Sequence, residues 1–315
     1  MKATCYFFSV ITISLILASC QKELSVQGGT TPTPPPPTTV IDSNYIDTVY
    51  AFETQNTITA NTEYFAYKYD SGKRVVSVNW EGGNYLSPYS DSGRMTYFYH
   101  GTDSVPYLSF MTATWNGMLV FDTTKTYYTY DNMGRLVKDS SYYGERDISP
   151  TPYYRVRHMI STYSYNAGKV VGQSADLAII EPNPISYPTT YNIDTAILSN
   201  QNPISSVDYV SYINNTSFSK YYETVISYDN NPSPYYKLNI SKSFTPIPGD
   251  GAAVWFLYYT GKNNYTSYIT IHTGSTGTET FNNIYLNNGY IKKTSFPAQN
   301  NPANKDGYIY VYKTM

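Results

Sequence analysis

Residues 127 to 143 read YYTYDNMGRLVKDSSYY. In an extended chain Thr126, Tyr128 and Tyr130 fall on one face, because side chains alternate with period two. Asp131 can accept hydrogen bonds from amides two residues on, the habit of an Asx turn. Gly134 supplies the positive φ that a three- to five-residue hairpin turn needs. Arg135 closes the turn, and Leu136 and Val137 start a return strand. The phrase is strand, tight turn, strand.

It recurs. Phe65, Tyr67 and Tyr69 precede Asp70 and Gly72. Tyr163 and Tyr165 precede Asn166 and Gly168. Ile226 and Tyr228 precede Asp229, with Pro232 and Pro234 in the turn, and Tyr308, Tyr310 and Tyr312 form a closing strand. Turn centres fall near Asp70, Asp103, Asp131, Asn166, Asn200, Asp229, Asn263 and Asn287, close to thirty residues apart. A period of that size governs the whole fold. Eight units of two strands give about sixteen strands. Parallel strands would need crossover helices, and the sequence has no long amphipathic stripe to supply them. The expectation is all-β: a large antiparallel up-and-down meander, curled into a barrel or barrel-like rolled sheet, since wide sheets twist and exposed edges are hazardous.

Composition agrees. The chain of 315 residues has 38 Tyr against 12 Phe and 3 Trp, and Tyr suits a half-buried strand whose hydroxyl keeps a polar partner. Charged residues are 14% and the net charge is -2, which gives no basic footprint for nucleic acid.

The start reads differently. MKATCYFFSVITISLILASC has Lys2, an apolar run from Tyr6 to Leu17 and then Leu17-Ala18-Ser19-Cys20. That is the grammar of a secretory signal, too short for a confident membrane span. Its end resembles the bacterial lipobox, which implies cleavage before Cys20 and lipid on the Cys20 sulfur. Residues 1–19 are then a signal peptide. Residues 20–44 are a lipidated cysteine and a tether, stiffened by Pro34 to Pro37 in polyproline II form. Residues 45–315 are one β domain. The domain has no Cys, so it holds no disulfide, thiol nucleophile or Cys metal ligand. The polar, acidic QKEL after Cys20 resembles export signals of surface lipoproteins. Location is expected at the outer membrane through the Cys20 lipid, on the cell surface rather than facing the periplasm.

Tyr128 to Leu136 resembles the YD repeat of Rhs-type shell proteins, whose phrase is Tyr-x-Tyr-Asp-x-x-Gly-Arg-Leu. Tyr67 to Val75 keeps it with one turn residue fewer, and Tyr163 to Val170 has Asn166 for Asp and Lys169 for Arg. With the lipobox, the thirty-residue spacing, YDNNPSPYY and the terminal aromatic strand, the chain is similar to uncharacterised Bacteroidetes lipoproteins described as having a porin-like β fold. That resemblance implies architecture and location and no chemistry.

Catalytic signals are thin. His100, His158 and His272 stand apart, with no ligand spacing for zinc. There is no nucleophile elbow or phosphate loop, and Gly274 to Thr278 reads as a loop. Carboxylate pairs among the 23 acids are the one route to glycoside hydrolysis left open. No cofactor is expected. The reading is a non-enzymatic binding or scaffold role, with a glycan or an envelope protein as partner; the alternative is a glycan-binding accessory lipoprotein of a nutrient-uptake system. Ligand-binding candidates are Trp80, Glu81, Asn84, Tyr85, Tyr89 and Trp115, where rings near loop tips can stack on sugars beside polar groups. The Tyr–Asp repeats themselves are expected to be structural, with ligands left to the loops.

Overall fold

The computed structural model describes residues 45–55, 58–83, 90–115, 120–147, 154–181, 185–212, 218–243, 261–272, 275–298 and 301–315. Asn84, Tyr85, Tyr89, Cys20, the tether and the turn at Asn116 lie outside them.

The strands are β1 (Tyr45–Gln55), β2 (Ile58–Tyr69), β3 (Val75–Gly83), β4 (Ser90–Phe98), β5 (Leu108–Trp115) and β6 (Val120–Tyr130). Then come β7 (Leu136–Asp147), β8 (Tyr154–Asn166), β9 (Lys169–Glu181), β10 (Ile185–Ser199), β11 (Asn202–Tyr212) and β12 (Ser219–Pro232). The last are β13 (Asn263–His272), β14 (Ser275–Thr280), β15 (Asn282–Tyr285), β16 (Ile291–Ala298) and β17 (Asn301–Lys313). Among the described residues seventeen antiparallel strands form one sheet. Each pairs with the next in sequence, except that β14 and β15 do not pair with each other, and β17 returns to β1 with Val49 opposite Tyr310. The sheet is a nearly closed barrel, so its edge groups are satisfied by its own chain.

β14 and β15 are two halves of one stave. β14 pairs with β13, β15 pairs with β16, and Phe281 lies between them with its N–H on Thr266 O at 2.8 Å. Seventeen strands therefore make sixteen staves, as the eight two-strand units require. Gly274 to Thr278 corrects the loop reading, because 275–278 belong to β14. Its outer edge is held by the ladder to β13, which short polar residues tolerate.

The inward face carries the buried tyrosines. Val49, Tyr67, Val78, Tyr97, Tyr308 and Tyr310 form the main buried cluster. Smaller clusters surround Phe281 and Val170. Between them the inward face buries Ser109, Thr124, Ser141, Ser161 and Thr224. Among the described residues the interior is three apolar patches in a hydroxyl-rich lining.

The repeated phrase has a repeated geometry. Tyr69, Tyr99, Tyr130, Tyr165, Tyr228 and Tyr312 each donate their hydroxyl to a backbone carbonyl, of Ile46, Val75, Pro106, Leu136, Pro203 and Ile291 respectively, at 2.6 to 2.9 Å. Thr48 pairs with Ala66; the acceptor lies two residues before the one and the donor three after the other. The same offsets hold about Ser77↔Thr96, Leu108↔Tyr127, Lys138↔Thr162, Ser205↔Val225 and Lys293↔Ile309. Each tyrosine thus caps a carbonyl two residues before the ladder between its strand and the neighbouring one begins. In the β9–β10 hairpin Leu198 takes the donor's place and its N–H bonds Gly168 O instead. Burial pushes the Tyr165 hydroxyl up to about 12 and raises Tyr99, Tyr130, Tyr228 and Tyr312 as well, so the donors keep their protons.

The turns explain the rest of the phrase. In 70–74, 131–135 and 286–290 the first N–H bonds the fifth carbonyl and the fourth N–H bonds the first carbonyl, at 2.8 to 3.0 Å. The fourth residues are Lys73, Gly134 and Gly289, all at positive φ (62°, 72° and 84°). The first turn is therefore not one residue shorter, and Gly72 does not hold its left-handed position; Lys73 does. Asp131 Oδ1 accepts the Arg135 N–H at 2.9 Å and Oδ2 the Arg135 Nε at 2.7 Å; Asp70 holds Arg74 the same way. The Arg135 amide bond first, then its guanidinium, keeps the Asp131 carboxyl below the usual range despite burial. For Asp70 burial acts upward, and the Arg74 bonds outweigh it. The clasped guanidinium then lies over the next latch tyrosine: Arg74 over Tyr99 at 4.6 Å and Arg135 over Tyr165 at 4.3 Å. At the third turn Tyr290 packs on Tyr312 in the same role.

Two turns are tighter. Ala167–Gly168 and Asn200–Gln201 carry paired positive φ, the two-residue hairpin form. Asp229 is a correction: β12 runs through it to Pro232, so it forms no hairpin turn. Its carboxylate instead accepts the Asn231 N–H at 2.8 Å and the Tyr285 hydroxyl. The segment after it, read as a return strand, is a run of turns ending in a 3-10 helix, Asn239–Ser243.

Candidate functional site

The turns and latches gather at one mouth of the barrel, and the segment from Ser233 to Ser243 crosses it. This strap leaves β12 and reaches β3 and β4 on the far side of the ring. Its sequence explains its path. Pro232 and Pro234 end the ladder, and Tyr235, Leu238 and Ile240 then bury in the main cluster with Val49 and Val75. Tyr235 meets Tyr310 edge to face at 5.9 Å. At the far end the Asn239 amide works twice: Oδ1 accepts the Val75 N–H at 3.1 Å, and Nδ2 donates to the Tyr99 hydroxyl at 2.7 Å. Lys237 donates to the Tyr290 hydroxyl.

The strap's root is pinned by amides. Asn202 Nδ2 donates to Asn263 Oδ1 and Oδ1 accepts the Asn263 N–H, both at 3.0 Å. Asn264 Nδ2 reaches Pro232 O at 3.2 Å, and Thr294 donates to Asn283 Oδ1 at 2.7 Å. The recess there is about the size of one water molecule. An enclosed ligand has no room in it.

Beneath the strap lies a polar layer. The Tyr128 and Ser109 hydroxyls are 2.7 Å apart, and Thr126 and Ser141 are 2.9 Å apart. Burial pushes Tyr128 up to about 12. Asp139, on the same inward face, accepts the Tyr163 hydroxyl at 2.8 Å. Burial pushes its carboxyl up to about 6, although the Tyr163 and Ser161 hydroxyls pull the other way. The layer offers hydroxyl donors and one carboxyl poised to hold a proton. Sequence reasoning passed over Asp139 because it is embedded in a strand phrase. The strap had one signal, the apolar Tyr235, Leu238 and Ile240 following two prolines.

Of the candidate ligand residues only Trp80 and Glu81 have described side chains, and these lie on opposite faces of β3. Trp80 lies within β3 on the inward face, opposite Phe65 and Gly93. A Cβ on Gly93 would overlap its ring, so the glycine makes room for the indole. Glu81, next in sequence, faces outward and accepts the Tyr64 hydroxyl at 3.0 Å. That bond first, then the nearby charge, raises the Tyr64 hydroxyl. Trp115 ends β5 opposite Asp91 and Val120, and its side chain lies outside the described part. His158 is on the outer wall, 2.9 Å from the Ser140 hydroxyl and stacked on Tyr142 at 4.1 Å. Among the described residues no group of three or more His, Cys, Asp or Glu converges as a metal site would.

No family model matches the chain, and no curated protein matches it. Two solved structures, porin-like proteins from Bacteroides vulgatus and Bacteroides uniformis, are each 13% identical to it. The alignments cover 86% of this chain and 100% and 98% of theirs, with TM-scores of 0.49 and 0.41.

Proposed function

We propose that the chain is a lipid-anchored envelope protein whose barrel stands in water as a non-enzymatic binding or scaffold module. The outer wall carries this reading. Asn79, Arg94, Thr112 and Thr123 face outward in one cross-strand row near the middle of four strands. Lys68 and Thr96 stand on either side of the buried Ser77 in the next row. A membrane-spanning barrel needs an apolar band at that height, and an outward Lys or Arg at the bilayer midplane costs about 2–4 kcal/mol. The inward tyrosines and the strap across one mouth also favour a filled support over a channel. Attachment then falls to Cys20, and the Pro34–Pro37 tether holds the barrel off the bilayer. The resemblance of QKEL after Cys20 to surface-export signals supports placement on the cell surface.

The test is detergent-phase partitioning of the full chain and of Cys20→Ala. The expected outcome is a detergent-phase wild type and a variant that leaves the detergent phase as soluble protein or stays there only as the longer, uncleaved precursor, held by the apolar run from Tyr6 to Leu17. A folded, processed variant that still partitions with detergent means the barrel itself is embedded, and the reading fails.

A further inference from the structure

We infer that the outward face of β4 to β8 is a docking surface for an acidic, uronate-bearing polysaccharide. The inference rests on the reading of the barrel as an exported, water-exposed binding module.

Large rings crowd this arc. Phe98, Phe110, Tyr127 and Tyr142 sit on four successive strands, each 39 to 43% exposed. Cross-strand register puts Phe110, Lys125, Tyr142 and His158 in one row and Phe98, Leu108, Tyr127 and Ser140 in the next. Neighbouring strands are about 4.8 Å apart, so the rings of Phe110 and Tyr142, two strands apart, stand about 10 Å from one another. His158 stacks flat on Tyr142, and Tyr127 meets Tyr142 edge to face at 6.4 Å. Tyr127, Tyr142 and His158 are in ring contact, and Phe98 and Phe110 extend the same two rows, whereas isolated exposed apolar groups would be scattered.

The charge on this face has one sign. Arg94, Lys125 and Lys138 are exposed there, and no Asp or Glu is found among its described outward side chains, although the chain's net charge is -2. Lys125 lies 5.0 Å from the Tyr127 ring centre, a cation beside a stacking surface. Thr96, Thr112 and Ser140 add hydroxyls between the rings. A sugar ring offers apolar C–H faces to aromatics and hydroxyls to Thr and Ser, and a uronate adds a carboxylate for the cations. Single-stranded nucleic acid shares the stacking and the charge, but its binders track the phosphates along a basic groove. This wall is a convex sheet with three spaced cations.

The experiment measures retention of the full chain, purified in detergent, on immobilised polygalacturonate, amylose, polyglutamate and oligo-dT. Expected is binding to polygalacturonate at least tenfold tighter than to the other three, weakening as salt rises. Phe110→Ala with Tyr142→Ala should weaken it at least tenfold, and Lys125→Glu likewise, with melting temperatures unchanged because all three side chains face out. No binding to polygalacturonate overturns the proposal. Equal binding to polyglutamate reduces it to charge alone, equal binding to amylose removes the acidic specificity, and preference for oligo-dT replaces it with nucleic acid; each overturns it. Unchanged binding in Lys125→Glu overturns it even where the double variant fails to fold. Partitioning through Cys20 is read separately, so loss of polygalacturonate binding leaves the envelope reading standing.

Discussion

A latch tyrosine spends its hydroxyl on a carbonyl that no strand can reach. Such a carbonyl, half-buried and unpaired, is costly, and a typical internal hydrogen bond contributes about 1 kcal/mol. Tyr130→Phe keeps the ring and removes the bond to Pro106 O, so it should lower stability by about 1 kcal/mol. Tyr127→Phe, on the outer wall, is the control and should change little. Urea midpoints of the two variants measure the difference; equal midpoints mean the latch contributes nothing. Asp139 makes a second prediction. Its carboxyl is pushed from 3.8 to about 6 in the folded state, so folding favours the protonated form. Stability is then greatest where both states hold the proton. It falls as pH rises from about 4 to about 6, where the unfolded chain loses its proton first, and levels off above. The fall should reach up to about 3 kcal/mol, two units at 1.36 kcal/mol each. Burial raises Asp306 in the same direction, so the informative quantity is the difference from Asp139→Asn. That variant should lose most of the fall between pH 4 and 6. Parallel wild-type and variant curves would place the titration elsewhere.

At the scale of elements, the hairpins were legible in sequence because a period of two and an Asp–Gly turn are local signals. Thr126, Tyr128 and Tyr130 share the inward face as alternation requires, and Gly134 takes the left-handed turn position. Lys73 was not legible there, because the neighbouring Gly72 is the residue a turn rule selects, while the hydrogen bonds of the turn put the strain one place later. Asp229 misled for a related reason. It follows Tyr228 as Asp131 follows Tyr130, but β12 continues past it, and its carboxylate serves Tyr285 two staves away and 56 residues on in sequence. The strap was hidden because its partners are non-local: nothing near Asn239 in sequence announces Val75 and Tyr99. Those partners give the test. Asn239→Ala removes two hydrogen bonds and leaves the Val75 amide without its acceptor, which should cost about 1–3 kcal/mol. Asn239→Asp keeps an acceptor for Val75 and loses the donor to Tyr99, so it should fall between. Calorimetric melting of the three proteins checks the order. A harmless Asn239→Ala would mean the strap is not fastened at its far end.

For the whole molecule the decisive contact is the one between its first and last strands. Twist in a wide meander leaves two edges, and a barrel removes them by pairing the ends. Here the closing ladder runs from Tyr45↔Lys313 to Thr54↔Lys305, and the Lys313 ammonium sits 2.8 Å from the Asp47 carboxylate. That exposed pair adds little; the ladder and the tyrosines under it do more. Tyr308 and Tyr310 belong to the main buried cluster, and Tyr312 latches Ile291. Deleting residues 301–315 would therefore do three things at once. It bares the edges of β1 and β16, takes Tyr310 away from the strap's Tyr235, and leaves the Ile291 carbonyl uncapped. The expected outcome is aggregation or loss of the cooperative melt. Pairing is non-local, so the missing strand should also act in trans. Added in excess, a peptide of residues 301–315 should restore a single cooperative transition by supplying the ladder, as strand addition does at open sheet edges. Sedimentation and melting of the truncated chain with and without the peptide measure this. A truncated chain that stays monomeric and melts as the whole one does would show that closure through β17 does not hold the barrel together.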